Sequence, residues 1–451
     1  MGSVATQGCD GDAAAHEPAS LGPPAAPAHS TGGKADGAFT VSGLPKWSLI
    51  GNALTPGQDR ATLAIAGQTA AERVDAWIDG RYAGRAQTAA TGGSGLELTL
   101  DLAGLPAGVH TLLLAADGSR EAFASLEFRR THPLYVAVTN DWDDSDNPDP
   151  TLRRQERLHA NHPELRITHF VGPYTFTDPE VSPSRRQLLA QWAIGQRDQF
   201  RDEIGLHIHP YCNFVERTTV PCRNQPSFAW TAGDPTGYTV VLSSYDEAQT
   251  TALVEKALEL FDQNGLGQPT SFRAGGWTAE LHTLSALANL GFVADSSAAN
   301  WRRLEEWKDD REAILYPWNQ EHWIAIDETS QPYYPSATDI LEATPPALSL
   351  LEVPDNGALV DYVSGEEMIE MFGANWPERA PLDHPVAYVI GYHPPNFSES
   401  FLQRMDTALT HIDGFLASAG AGPVVYATLS ELPLVWAPAA PSPPAPESST
   451  P

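Results

Sequence analysis

From His132 onward the sequence repeats one pattern, an apolar, β-rich run followed by a helix-like stretch. Eight such runs lie at 134–139, 167–171, 203–209, 271–274, 292–294, 350–353, 386–392 and 424–427. A repeated β-then-α order implies parallel strands, because each helix carries the chain back to start the next strand in the same direction. The count predicts an α/β domain of seven or eight parallel strands. Closure into a barrel is the expected architecture, and an open doubly wound sheet is the alternative. The clearest helix spans 246–263. Ser244 and Glu247 are positioned as its capping box, and Ala252, Leu253, Ala257, Leu258 and Phe261 form its apolar stripe.

Residues 38–130 follow a different period. Val74, Ala76 and Ile78 alternate with Asp75 and Trp77 before the turn dipeptide Asp79-Gly80, and Leu96, Leu98 and Leu100 alternate with Glu97 and Thr99. Short strands broken by turns predict a small β-sandwich. The stretch 74–84, with 96–100 and 108–114 after it, resembles the immunoglobulin-like accessory modules of secreted bacterial enzymes. Residues 1–37 hold no aromatic side chain and are rich in Ala, Gly, Pro and Ser, which predicts a disordered tether. Residues 437–451 predict an extended, Pro-rich tail. The sequence is therefore divided into a tether (1–37), a sandwich (38–130), a (β/α) domain (132–436) and a tail.

The charge balance narrows the partners. With 27 basic and 57 acidic side chains the formal charge is −30, which disfavours nucleic acid and anionic membrane surfaces. No stretch reaches the roughly 18 apolar residues of a membrane span. Residues 1–37 also lack the apolar core of a signal peptide, so the chain is read as a mature or truncated form of an exported, extracytoplasmic protein. Cys9 stands in a segment that resembles the region behind the lipid-modified cysteine of bacterial lipoproteins, a candidate lipid tether. Cys212 and Cys222 lie ten apart in one polar loop, a spacing open to either a disulfide or two free thiols.

In a parallel β/α fold the catalytic groups sit at the C-terminal ends of strands, so the residues that close each run are the test of function. The first run ends in Asp141-Trp142-Asp143-Asp144, the third in His207-Ile208-His209-Pro210, the fourth in Arg273-Ala274-Gly275-Gly276-Trp277 and the seventh in His393-Pro394-Pro395. Taken singly, these residues have ordinary readings. Acidic runs such as 141–146 are commonly solvated loops or helix caps, a His-x-His pair is commonly half-buried, and Arg273 with Trp277 could be a simple cation–π contact. Their shared position at one predicted rim changes that. Residues i and i+2 of an extended segment face the same way, so His207 and His209 can address one ion, as can Asp141 and Asp143. One carboxylate and two imidazoles leave a position for water, as a hydrolytic metal centre requires. The absence of thiolates at the rim fits one divalent ion bound by N/O ligands, with zinc expected.

In this order the motifs Asp-x-Asp, Gly-Leu-His-x-His-Pro, Phe-Arg-x-Gly-Gly-Trp, Gly-Phe-x-x-Asp-Ser-Ser and Tyr-His-Pro-Pro resemble those of the NodB-homology polysaccharide deacetylases, carbohydrate esterase family 4, over about residues 132–435. The resemblance implies a distorted (β/α)7 barrel, here preceded by the all-β module, that removes N- or O-acetyl groups from a carbohydrate with one divalent metal. It implies Asp141 as general base, His393 as general acid and Arg273 as the residue orienting Asp141. Asp143, His207 and His209 would be the metal ligands, and Trp277, with Tyr211 and Trp142, would contact substrate. Two departures stand out. Trp142 separates aspartates that are adjacent in the usual motif, so the roles could slip toward Asp144. The second histidine stands at i+2, with Tyr211 at the usual i+4. Asp295 could hydrogen-bond His393 or cap a helix. Two other functions compete: a non-catalytic carbohydrate-binding protein with a rim of Trp142, Trp230, Trp277, Trp301 and Trp318, and a metal-dependent amidase whose 211–244 segment restricts it to a small substrate.

Overall fold

The computed structural model describes residues 22–26, 39–67, 73–88, 95–116, 118–229, 233–304 and 314–436. Cys9, Trp230, the 437–451 tail and all of the expected tether except 22–26 lie outside the described residues. Within 22–26, Ala25 forms a parallel bridge with Glu121. Two units are distinct. Among described residues the first comprises those up to Lys46, Arg60–Gly104 and Val109–Arg129, and the second comprises Trp47–Asp59, Leu105–Gly108 and Arg130 onward.

The N-terminal strands are β1 (Phe39–Ser42), β2 (Trp47–Leu49), β3 (Arg60–Gly67), β4 (Val74–Ile78), β5 (Arg81–Arg85), β6 (Gln87–Thr88), β7 (Leu96–Asp101), β8 (Gly108–Ala116) and β9 (Ala124–Thr131). One antiparallel sheet runs β1-β3-β7-β6, and in a second sheet β9, β8, β4 and β5 are successive neighbours. Leu63, Ile65, Leu98 and Leu100 are buried on the first sheet, and Ala76, Leu112, Leu114 and Phe128 on the second. Asp79 and Gly80 both take positive φ between β4 and β5, the conformation a two-residue hairpin turn needs. The alternation expected in β4 is absent, since all five of its residues are buried. Trp77 packs edge-on against Tyr82, and Asp75 is held by the Arg85 guanidinium at 2.6 and 2.8 Å. A charged residue in a covered strand is kept by its ion pair.

The second unit alternates strands and helices: β10 (Leu134–Asp141), α1 (Asp149–Asn161), β11 (Ile167–Val171), α2 (Pro183–Phe200), β12 (Glu203–Ile208), α3 (Cys212–Val215), α4 (Glu247–Gln263), β13 (Ser271–Ala274), α5 (Leu281–Asn289), β14 (Ala294–Asp295), α6 (Leu315–His322), β15 (Leu351–Glu352), α7 (Gly365–Asn375), β16 (Val386–Tyr392), α8 (Glu399–Asp413) and β17 (Val424–Tyr426). The parallel sheet runs β15-β14-β13-β12-β11-β10-β16, with β17 paired to the first half of β10. Beyond β15 the chain turns to meet the opposite edge. Gly357 N donates to Val389 O, Gly391 N to Ala358 O and Val360 N to Gly391 O, so the curled sheet closes as a distorted (β/α)7 barrel.

Both faces of β10 are covered, which is why it reads as an unbroken apolar run. Leu134, Val136 and Val138 pack with Met368, Met405 and Leu409 of α7 and α8, whereas Tyr135 and Ala137 join Phe170, Leu351 and Val389 in a separate core. Each fully buried Val, Leu, Phe or Met side chain among these contributes about 1.5–3 kcal/mol relative to exposure. Helix α4 is capped by Asp246 and Gln249, not by Ser244 and Glu247. Ser244 lies in a 3₁₀ turn two residues earlier, and the carboxylate of Asp246 is the group that reaches the backbone N–H of Gln249. No helix among the described residues is long and apolar enough to cross a membrane.

Candidate metal and hydrolytic site

The C-terminal ends of four strands place their polar residues around one cavity of about 260 Å³, lined by Asp141, Asp143, His207, His209, Trp277 and His393 together with Phe228, Tyr238, Leu315 and Tyr362. Parallel register brings them together: Asp141 is paired with Phe170, and His207 with Arg273. His207 and His209 are 1% and 2% exposed and Asp141 is 3% exposed, so the reactive groups are enclosed by the barrel rim.

Three ligand atoms converge. His207 Nε2 lies 3.1 Å and His209 Nε2 3.3 Å from Asp143 Oδ1. Asp143, His207 and His209 are the group among the described residues whose donor atoms all fall within 4.8 Å of one another. Each imidazole is fixed from behind: His207 Nδ1 lies 2.9 Å from Arg273 O and His209 Nδ1 2.7 Å from Tyr238 O. A carbonyl can only accept, so both rings carry a proton on Nδ1, and in the neutral form Nε2 presents a lone pair. Two lone pairs facing a carboxylate oxygen repel it unless a cation lies among them, and buried His209 Nε2 has no hydrogen-bond partner. The donor set therefore fits a divalent ion held by two imidazoles and one carboxylate. Burial alone would raise the Asp143 carboxyl, but the His393 and His209 imidazoles beside it hold it well below the usual carboxylate range.

Asp141 is placed separately from that trio. Fully buried Arg273 reaches both of its oxygens, at 3.1 and 3.3 Å, and is itself fixed by Thr139 Oγ1, Ser296 O and Ser296 Oγ. Behind Arg273 lies Asp355, 3.7 Å from the guanidinium and accepting from Trp277 Nε1 at 3.1 Å. Burial pushes the Asp355 carboxyl up to about 6 despite the Arg273 charge. Across the cavity His393 stands between two carboxylates. Its Nδ1 is 3.1 Å from Asp361 Oδ2 and its Nε2 is 3.5 Å from Asp143 Oδ2. Burial opposes the imidazolium, but Asp143 and Asp361 outweigh it and raise His393 to about 10.

Some residues expected at the site lie elsewhere. Trp142 is fully buried in the hydrophobic core beside Trp192 and does not line the cavity, which corrects its assignment to substrate contact. Its position is set by the strand: side chains alternate, so a residue between two cavity-facing aspartates must point away. Tyr211 also stands behind the cavity, stacked on Tyr238 with its hydroxyl donating to Asp143 O. Asp144 is exposed and outside the ligand group. Asp295 neither bonds His393 nor caps a helix. It accepts from Ser297 N and Oγ in a buried pair with Glu352, and burial raises both carboxyls. Trp277 does line the cavity, whereas Trp301 and Trp318 do not. Cys212 and Cys222 form a disulfide with Cα atoms 5.3 Å apart.

Tyr238, Asp355 and Asp361 were not anticipated. Tyr238 acts twice, accepting from His209 through its carbonyl and donating its phenol to Asp143 Oδ2 at 3.0 Å.

No family model matches the sequence, and no curated protein matches it. Solved structures do. A protein of Mycobacterium smegmatis, provisionally described as a polysaccharide deacetylase, is 14% identical with a TM-score of 0.39, over 66% of this chain and 88% of its own. A family 4 carbohydrate esterase of Streptomyces lividans is 11% identical with a TM-score of 0.32, over 66% and 93%. Many of these structural neighbours are polysaccharide deacetylases of carbohydrate esterase family 4. A 4-alpha-glucanotransferase of Thermococcus litoralis is 9% identical with a TM-score of 0.39, over 68% of this chain and 41% of its own. Likeness at these values does not distinguish activities, so chemistry must be argued from the site.

Proposed function

We propose that this chain is a metal-dependent hydrolase that removes acetyl groups from a carbohydrate, acting outside the cytoplasm. The observation that carries the reading is the convergence of two Nδ1-anchored imidazoles on Asp143, with an Arg-held carboxylate and a charged histidine on either side. Asp143, His207 and His209 would hold the ion, with zinc the expected metal. When bound, such an ion lowers the pKa of a water toward about 7 and polarises an acyl carbonyl.

The protein's own residues supply the proton transfers. Asp141, fixed by Arg273, takes the proton of the attacking water as its oxygen adds to the acyl carbon. The C–N or C–O bond to the sugar then breaks, and His393, protonated between Asp143 and Asp361, gives its proton to the departing amine or alkoxide. Acetate leaves, and proton return from Asp141 to His393 through solvent restores the site. Trp277 and Tyr362 offer aromatic faces for the substrate. The Cys212–Cys222 disulfide supports an oxidising compartment. The immunoglobulin-like reading of the N-terminal sheets and the domain limits 38–130 and 132–436 belong to the same proposal.

The test is release of acetate from acetylated saccharides by purified protein, before and after metal removal by a chelator. The reading requires activity that disappears on chelation and returns with added divalent metal. Activity indifferent to chelation, or a metal-loaded protein that binds saccharides without releasing acetate, would refute it.

A further inference from the structure

The residues that precede Asp141 and His393 are bonded to each other behind the sheet. Asn140 and Tyr392 are register partners on β10 and β16, and the chain passes directly from them to Asp141 and His393. Side chains alternate along a strand, so with Asp141 lining the cavity Asn140 faces the helix layer instead. Resting on the deacetylase reading of Asp141 as base and His393 as acid, we propose that Asn140 and Tyr392 are positioning residues, whose bond sets the spacing between those two groups.

This side of the sheet is otherwise apolar. Leu134, Val136 and Val138 precede Asn140 on the same face of β10, and the Tyr392 ring is stacked 4.2 Å from Phe397. Within that layer Asn140, Gln155, His169 and Tyr392 are all 1% exposed or less. Burying such groups costs stability unless they are paired, and a paired network holds its members in one arrangement. The Asn140 amide nitrogen lies 2.7 Å from His169 Nδ1, 3.0 Å from the Tyr392 hydroxyl and 3.2 Å from Gln155 Oε1.

The direction of each bond is fixed from the far end of the network. The Asp202 carboxylate can only accept: Oδ1 takes the backbone N–H of Ile167, and Oδ2 lies 3.0 Å from His169 Nε2 and 2.9 Å from His159 Nε2. A neutral His169 therefore carries its proton on Nε2 and offers the Nδ1 lone pair to the Asn140 amide. Turned over, that amide would aim its oxygen at the lone pair. Tyr392 donates its own proton to Gln155 Oε1 at 3.1 Å, which leaves its oxygen to accept from Asn140. Asn140 thus ties the C-terminal ends of β11, β10 and β16 together. Its oxygen is buried without a hydrogen-bond partner, a cost that an apolar side chain in this layer would avoid.

The test is steady-state acetate release by the metal-loaded full chain from the β-1,4-linked pentamer of N-acetylglucosamine and from acetylated xylo-oligosaccharides. Tyr392→Phe keeps the ring and removes the hydroxyl. It should lower kcat by about 10–100-fold, in the range that a misplaced catalytic group costs, while KM and bound zinc stay within about twofold of the wild type. Tyr388→Phe is the control, since it loses a buried bond to Met368 O four residues earlier on the same strand face and should keep its kcat. Asn140→Ala should also be slow, and the double variant no slower than the slower single one, because both changes remove the same bond. An unchanged kcat in Tyr392→Phe, an equal fall in Tyr388→Phe, or losses that multiply in the double variant overturns the positioning role while leaving the deacetylase reading intact. If Asn140→Ala does not fold, the comparison of the two Tyr→Phe variants decides. No acetate from either compound with the wild type, metal bound, overturns the underlying reading and this inference with it.

Discussion

Tyr238→Phe removes a single oxygen from the protein, and the geometry around that oxygen sets the expected loss. The phenol donates to Asp143 Oδ2 at 3.0 Å, on the carboxylate whose other oxygen faces His207 and His209. The backbone carbonyl that holds His209 Nδ1 is untouched, and the ring keeps its stacking on Tyr211. A hydrogen bond to a charged group contributes about 1.5–3 kcal/mol. At about 1.4 kcal/mol per factor of ten, that corresponds to a metal affinity weaker by roughly 10–150-fold. The independent expectation for removing a partner that orients a metal ligand is about 10–100-fold. The assay is competition for zinc between the protein and a chelator of known affinity, with circular dichroism to confirm that the variant is folded. An unchanged zinc affinity in a folded variant would show that Tyr238 does not hold Asp143 in place as a ligand, and would refute the reasoning.

Other outcomes rest on the same geometry. Asp141→Asn should keep the metal, since Asp141 lies outside the ligand trio, yet lose about 10²–10⁴-fold in acetate release; metal lost from this variant would mean the roles of Asp141 and Asp143 are exchanged. Gly275→Ala should weaken zinc binding, because its Cβ would lie 2.5 Å from His209 Nδ1, and zinc bound as tightly as by the wild type would refute the assigned position of His209. Asp355 gives a stability prediction with a definite sign. Its folded value of about 6 stands above the ordinary carboxylate value of about 3.9. The stability linked to its proton is present below about pH 4 and lost as pH rises toward 6. Arg273, Asp141 and His393 are the charged groups that face it. In denaturant unfolding, the wild type should lose on the order of 2–3 kcal/mol more than Asp355→Asn between those two pH values; parallel curves would contradict this assignment.

How much of this was legible depends on what each residue's neighbours reveal. The runs at 167–171, 271–274 and 386–392 coincide with β11, β13 and β16, because strands covered on both faces read as largely apolar runs, interrupted here by the buried polar residues Thr168, His169, Ser271 and Arg273. The run at 350–353 contracts to the two-residue strand Leu351–Glu352, and the run at 292–294 overlaps the two-residue strand Ala294–Asp295 only at Ala294, since those pairs alone are in register with their neighbours. The site residues at strand ends were legible for the same reason, as the fold aims those ends at one rim. Trp142 was misplaced although the alternation that grouped Asp141 with Asp143 already required it to face the other way. Asp361, Tyr238 and Asp355 were missed because they lie in connections without periodicity, where sequence does not say which strand end they will meet. The disulfide was undecided, because ten-residue spacing permits closure without requiring it.

The most direct test of the central claim is the metal content of purified wild type and His207→Ala, measured by mass spectrometry after exposure to one equivalent of zinc and removal of unbound ion. The account predicts one tightly held ion per wild-type chain and most of it lost from His207→Ala, with His159→Ala, in the buried His159–Asp202–His169 cluster, retaining it. Full occupancy in His207→Ala would contradict the metal site and the hydrolytic chemistry built on it.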